Sequence, residues 1–419
     1  MINRPEYLNK LIEWENKTDF IKVVTGVRRC GKSTLFELFQ DHLKKDGISE
    51  DQIININFER ADFANLLDWQ ELHNYVKSKA LPDKMNYLFL DEVQMVPDFQ
   101  KAVNSLRLEK NIDIYITGSN AYMYSQKIST LLSGRSVEIK MFPLSFKEFL
   151  SAFDTGILPP QVFFDIYRQF GGFPDVAKAI VGASKTNDIT VPDSEIFLYM
   201  DSLYNTVVAK DISLRTGIDS ISDINRIVRY LFSNIGNKTS FNKIMNAVNT
   251  EFKFNKTDKN LYVSKIQKIV DALKESFLFY ACDRQMLKGR ELLRTESKYY
   301  AVDTGLRYFM LGGDRNIDGG HVLENIVYIE LLRRGYRVST GRVDDLEVDF
   351  VAEKANNTEY FQVSLSLDSE KTFEREMKSL EKIQDNYEKT VLVFAPTMQS
   401  SYKGIKIINV VDWLLEKRG

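Results

Sequence analysis

Near the start of the chain, Gly26-Val-Arg-Arg-Cys-Gly31-Lys32-Ser33-Thr34 fits G-x-x-x-x-G-K-[ST] at every fixed position. Before it, Phe20-Ile-Lys-Val-Val-Thr25 reads as a buried strand that stops at Gly26. After it, Leu35-Phe-Glu-Leu-Phe39 opens an apolar-rich helix. Strand, glycine loop and helix together make a cradle for phosphate. Gly26 and Gly31 permit backbone angles that a β-carbon forbids, so the amides of Val27, Arg28, Arg29 and Cys30 can turn toward phosphate oxygens. The helix that begins at Lys32, Ser33 and Thr34 adds the positive end of its dipole. Lys32 reaches the β- and γ-phosphates of ATP, and the Ser33 hydroxyl is a ligand for Mg2+. Cys30 occupies a variable position of the loop and is read as a small filler.

A second motif, Tyr87-Leu-Phe-Leu-Asp91-Glu92, is an apolar strand that ends in two carboxylates. Asp91 there holds Mg2+, and Glu92 polarises the attacking water as a general base. Two further strands read as Ile53–Phe58 and Ile112–Ile116, the latter running into Thr117-Gly118-Ser119-Asn120. A polar residue at that tip, Ser119 or Asn120, senses the γ-phosphate or merely caps a turn. Leu131-Leu-Ser-Gly134-Arg135 then precedes a strand at 136–140. Arg135 is read either as an arginine finger, acting in cis or on a neighbouring subunit of a homo-oligomer, or as a plain surface arginine.

Composition bounds the rest. At 419 residues and 44 % hydrophobic, the chain is long enough for several cores, and its net charge of −2 excludes a uniformly basic coat or a charge-driven disordered chain. Two cysteines and three histidines rule out a disulfide framework and histidine-rich metal chemistry. No apolar run approaches a membrane span and no signal-peptide layout opens the chain, so the expectation is a cytoplasmic protein with no membrane partner. Met85, Met95, Met141 and Met377 read as core filler.

Charge is segregated by region. Residues 222–300 carry 15 Lys+Arg against 8 Asp+Glu, a local excess of +7. Helical patterns at 224–234, 240–249 and 262–276 are followed by strands at 277–282 and 298–302, joined by a basic loop with Lys288, Arg290 and Arg294. That order, three helices and a hairpin, is the order of a winged helix, and with the local charge it points to duplex DNA through residues 222–300. The bland alternative is a basic face packed on an acidic neighbour.

The phosphate loop, Leu90-Asp91-Glu92, Thr117-Gly-Ser-Asn120, Leu132-Ser-Gly-Arg135 and Phe142-Pro-Leu-Ser-Phe-Lys-Glu-Phe149 occur in that order, and later come Gly171-Gly-Phe-Pro174, Tyr300-Ala-Val-Asp-Thr-Gly-Leu306 and Leu323-Glu-Asn-Ile-Val327. Across nearly its whole length the chain resembles the prokaryotic AAA-type P-loop ATPases that carry a C-terminal domain of unassigned function. The resemblance gives Arg135 more weight as the finger. It implies an α/β fold: a P-loop NTPase (AAA-type) parallel sheet over 1–143, a helical lid and connector over 144–215, a winged-helix domain over 216–302 and an α/β restriction-endonuclease-like domain over 303–419.

In that last region an amphipathic helix at 320–334 carries Glu324, and strands carry Asp349 and Gln362-Val-Ser364. Active endonuclease-like members gather a helix Glu, a strand Asp and a Glu-x-Lys around Mg2+. Gln362 and Ser364 stand where the second carboxylate and the lysine are expected, and only a lysine from the next helix, Lys371 or Lys378, could compensate. The expectation is therefore an ATPase, with DNA-linked rearrangement or a nucleotide switch for a protein partner as its output, and nuclease activity disfavoured.

Overall fold

The computed structural model describes residues 2–119, 134–156, 158–185, 188–213, 216–218, 220–250, 259–287, 292–313 and 318–416. They form two compact units: Met1–Phe142 with Glu275–Phe277, and Pro143–Lys274 with Leu278–Gly419.

The first unit is a parallel sheet of β1 (Ile21–Thr25), β2 (Ile53–Asn57), β3 (Asn86–Asp91), β4 (Ile112–Gly118) and β5 (Ser136–Lys140), in the order β2-β3-β4-β1-β5. Every residue of β1, β3 and β4 is buried, as expected of strands covered on both faces. Helices α1 (Pro5–Glu13), α2 (Lys32–Lys45), α3 (Trp69–Lys79) and α4 (Phe99–Leu106) surround the sheet. In α4 the buried residues Phe99, Ala102, Val103 and Leu106 follow the spacing of a single helix face. Because β4 inserts between β1 and β3, the loop after β1 and the carboxylates after β3 flank the tip of β4. Met85 is half-buried and Met141 fully buried, but Met95 is 43 % exposed, because it closes a single helical turn on the surface.

An ion pair crosses this core. Lys22 of β1 and Asp113 of β4 are both fully buried and joined directly. Asp113 also accepts from Tyr115 Oη at 2.6 Å and from the Asn16 amide at 2.9 Å, and Lys22 Nζ donates to the Phe20 carbonyl at 3.2 Å. The charges survive burial because almost every polar atom is matched.

The second unit holds the helices α5 (Phe146–Leu150), α6 (Pro160–Phe170), α7 (Pro174–Ala183) and α8 (Asp193–Thr206), the segment expected as a lid. Its sequence motifs explain themselves by contact. Gly171 has φ +75°, and a β-carbon there would fall 2.1 Å from the Asp303 carboxylate. That close approach lets the Gly172 amide donate to Asp303 at 2.7 Å, while Asp303 caps α12 (Thr304–Met310) through the Leu306 amide at 3.0 Å. Burial pushes the Asp303 carboxyl up to about 6, against the amides of Gly172, Leu306 and Gly305.

Next come α9 (Ile221–Ser233), β6 (Lys238–Thr239), α10 (Phe241–Thr250), α11 (Lys259–Glu275), β7 (Phe279–Met286) and β8 (Leu292–Ala301), the expected helix-helix-helix-hairpin order. The hairpin is not free at its outer edge, because β7 pairs in parallel with β9 (Arg337–Val343). Through that pairing it joins β10 (Leu346–Lys354), β11 (Asn357–Ser364), β12 (Glu388–Val393), β14 (Ile405–Asn409) and β13 (Ser401–Tyr402) in one nine-stranded sheet. Helix α14 (Glu370–Glu381) buries Met377 and Leu380 against it, and α15 (Val410–Leu415) ends the described chain. Helix α13 (Gly319–Arg333), expected to be amphipathic, is instead buried nearly all round. Its charged residues pair: Glu330 is joined to Arg333 and lies 3.0 Å from Arg334, whose guanidinium stacks 3.7 Å over Trp413.

Asp113→Ala removes one partner of a buried pair and is expected to destabilise the first unit by about 3–5 kcal/mol. The combined Lys22→Met, Asp113→Leu change should regain most of that loss. Urea unfolding followed by Trp fluorescence measures both, and a single variant as stable as the parent would show the pair to be inert.

Candidate active site

The phosphate loop leaves β1 at Thr25, whose hydroxyl donates to Glu138 at 2.5 Å. Gly26 needs to be glycine: φ is +152°, and a β-carbon would lie 2.2 Å from the Met141 carbonyl. Gly31, with φ +103°, sets the left-handed turn that starts α2. Arg4, 3 % exposed, braces the loop from outside by donating to the Cys30 carbonyl at 2.9 Å and the Phe142 carbonyl at 2.8 Å. Cys30 is buried, which pushes its thiol up and keeps it protonated. Val27 is also buried, Arg28 is half-buried and Arg29 is exposed with φ +61°.

Lys32 Nζ donates to the Gly26 and Val27 carbonyls at 3.1 and 3.2 Å and lies 3.7 Å from Glu92. Ser33 is exposed at the start of α2, and Thr34 is half-buried behind it. Asp91 and Glu92 are both buried at the tip of β3. Thr117, at the end of β4, donates its hydroxyl to Asp91 and accepts the Glu92 amide at 2.9 Å. Asn57 of β2 donates to the other Asp91 oxygen at 3.0 Å. Gln94 donates to Glu92 and lies 3.4 Å from the buried Ser119 hydroxyl. Burial opposes the ionised form of Glu92, but Lys32, the Gln94 amide and Arg28 outweigh it and hold the carboxyl below its ordinary value. A base ionised at neutral pH and facing the loop lysine is the outcome.

The structure thus brings together Lys32, Asp91, Glu92 and Ser119. Asn120 lies outside the described residues. Arg135 does not join them: its carbonyl accepts from the Ile21 amide at 2.8 Å, which puts it at the start of β5, while the loop leaves the far end of β1. Five strand residues at roughly 3.3 Å each separate the two edges, so a finger in cis from Arg135 is excluded by reach. Thr117, Asn57, Gln94 and Arg4 were not picked out by sequence reasoning. Thr117 and Gln94 lie within two residues of motif positions; Asn57 ends a strand of alternating apolar and polar residues, and Arg4 carries no local signal.

A second cluster lies in the other unit. Glu324 of α13 accepts from Tyr300 Oη at 3.2 Å and from Lys298 at 3.5 Å, and Lys298 lies 2.9 Å from Glu347. Asp349 accepts the Val363 amide at 2.9 Å, and the Gln362 side chain accepts the Asp349 amide at 3.1 Å. These two side chains therefore complete the β10–β11 ladder. Burial and then Glu324 push the Asp349 carboxyl well up, with Lys298 offsetting part of the shift. Ser364 donates to the Ser366 carbonyl, and Lys371 and Lys378 are exposed. Among the described residues no three His, Cys, Asp or Glu side chains converge on a metal position.

Among the described residues, several cations of the basic segment form ion pairs. Arg226 and Lys265 pair with Asp223, Lys243 and Arg284 with Glu296, Lys238 with Glu347, and Lys274 with Asp271. Lys288 and Arg290 lie outside the described residues.

The chain is 38 % identical to an uncharacterized protein of Haemophilus influenzae over 99 % of both chains. It belongs to that protein's family. An uncharacterized protein of Methanocaldococcus jannaschii is 29 % identical over 90 % of this chain and 82 % of its own length. Residues 18–150 match the sequence profile of an AAA domain, and residues 164–316 match a domain of unknown function, DUF8612. The first unit is therefore an AAA-type P-loop ATPase domain, with the strand order and loop that bind nucleotide. AMPPCP-bound DnaA from Aquifex aeolicus overlaps at 16 % identity with a TM-score of 0.36, covering 64 % of this chain and 92 % of its own, an overlap too low to assign a function.

Thr117→Val in this AAA domain strips a donor from Asp91 and an acceptor from the Glu92 amide. The expected cost is about 1–3 kcal/mol in stability. Thr117→Ser should restore it, and thermal melts of the two variants side by side test the assignment.

Proposed function

We propose that the AAA domain hydrolyses ATP with Glu92 as the general base. The observation that carries this reading is the buried Glu92 carboxylate, held ionised 3.7 Å from the loop lysine at the tip of a strand whose neighbour supplies Thr117 and Ser119. Lys32 exchanges its two loop carbonyls for the β- and γ-phosphate oxygens. Gln94, already on Glu92, and Ser119 orient the water. As the water attacks the γ-phosphorus its proton passes to Glu92, and the β–γ bridging bond breaks to release ADP.

The hydroxyl of Ser33 and the carboxylate of Asp91 are hard oxygen donors suited to Mg2+, with Asp91 oriented by Thr117 and Asn57. When bound, that ion neutralises charge on the transferred phosphoryl group.

For the second unit, the order α9-β6-α10-α11-β7-β8 supports a winged-helix-like module, and α13-β9-β10-β11-α14-β12 supports an endonuclease-like one. The engagement of Asp349 and Gln362 in backbone pairing supports a scaffold rather than a nuclease. The pairing of Lys238 and Lys298 with Glu347 and Glu324 takes up part of the basic excess and favours a nucleotide-driven rearrangement addressed to a protein partner over duplex DNA.

Lys32→Ala is expected to abolish ATP binding. Glu92→Gln should retain binding and lose about 10²–10⁴-fold in turnover. Steady-state phosphate release at fixed salt, with and without duplex DNA, tests both arms: normal turnover in Glu92→Gln removes the base, and strong stimulation by DNA restores the DNA reading.

A further inference from the structure

With Arg135 at the opposite end of the strands, a positive charge supplied to a γ-phosphate beyond Lys32 from within the same copy of the chain has to come from elsewhere. Arg28, the third residue of the phosphate loop, is placed to supply it. Its side chain is 17 % exposed, and Nη1 lies 3.6 Å from Glu59 Oε1. Glu59 follows β2, whereas the loop follows β1, and β4 and β3 lie between them. The Arg28–Glu59 pair therefore spans the tips of the two strands that carry Ser119 and Glu92. Arg28 is also one of the cations that holds the Glu92 carboxyl down. Glu59 is in turn registered to the site, since its amide donates to Asn57 at 2.9 Å and Asn57 donates to Asp91.

The chemistry favours an exchange of partners. At 3.6 Å the pair is an ion pair beyond good hydrogen-bonding distance, and the Glu59 side chain is 54 % exposed, so releasing it costs little. A γ-phosphate offers the planar guanidinium two oxygens of higher charge in the bidentate geometry it matches best.

We propose that Arg28 is a catalytic arginine acting in cis: it leaves Glu59 to bind the γ-phosphate of a nucleoside triphosphate and stabilises the charge that develops there during transfer. This rests on the ATPase reading above, and it makes the site self-sufficient within one copy of the chain.

The test compares Arg28→Ala, Arg28→Lys and Arg135→Ala in the full chain. Binding of ADP and of a non-hydrolysable ATP analogue is measured by calorimetry, and phosphate release over a range of protein concentrations. Arg28→Ala is expected to leave the ADP Kd within about threefold, to erase at least about tenfold of the preference for the triphosphate, and to cut kcat about 10³-fold, the lower end of what an arginine finger supplies. Arg28→Lys should recover only part of this, because an ammonium cannot fork two oxygens.

An unchanged triphosphate preference and kcat in Arg28→Ala overturns the proposal. So does concentration-dependent turnover that vanishes in Arg135→Ala but not in Arg28→Ala, which assigns the finger to a second copy. A parent protein that binds both nucleotides but never turns over sinks the ATPase reading alone, since the affinity ratio still decides whether Arg28 reads the γ-phosphate. A parent that binds neither overturns both.

Discussion

One hydroxyl ties the catalytic edge of the first unit together. Thr117 donates a hydrogen bond to Asp91 and accepts one from the Glu92 amide, so that the tip of β4 and the tip of β3 are fixed to each other by a single side chain. Glu92 adopts φ +56°, a conformation that a non-glycine residue holds only when its surroundings demand it. The bond to Thr117 supplies part of that demand. Without it, Asp91 keeps only the Asn57 amide of these two donors, and the Glu92 amide loses its side-chain acceptor.

The loop on the other side is braced just as specifically. Arg4 reaches from the residue before α1 to the Cys30 carbonyl and to Phe142, and Tyr7 Oη accepts the Phe142 amide at 3.2 Å. Phe142 is the last residue of the first unit before the chain passes into the second. The brace therefore joins the phosphate loop to the point where the chain leaves the first unit.

Much of the first unit was legible because its signals are local. A G-x-x-x-x-G-K-S run fixes backbone angles within eight residues, and an apolar strand that ends in Asp91-Glu92 declares its own tip. For Arg135, spacing along the chain could not separate a finger in cis from one in trans, because it does not say which end of a strand a residue occupies; only the register of β5 on β1 does. Arg4 and Asn57 were invisible for a related reason, since they act through contacts 26 and 34 residues away. In the second unit the helices were readable from their apolar stripes. The all-round burial of α13 was not, because charges such as Glu330 and Arg333 look solvent-facing until their partners are known. Net charge along residues 222–300 was likewise a partial guide, since it did not count Glu347 and Glu324, which approach from a later strand and helix and offset part of the excess.

The pairing of β7 with β9 has a consequence for how this chain can be divided. A helical module that ended at its β7–β8 hairpin would be separable as a cassette. Here its outer strand supplies the hydrogen-bonding edge on which the last third of the chain is laid down, so a break between residues 302 and 319 would leave two raw edges, each a template for pairing with a foreign strand. The two halves of the second unit thus share one sheet, and neither can be cut away without baring the other's edge.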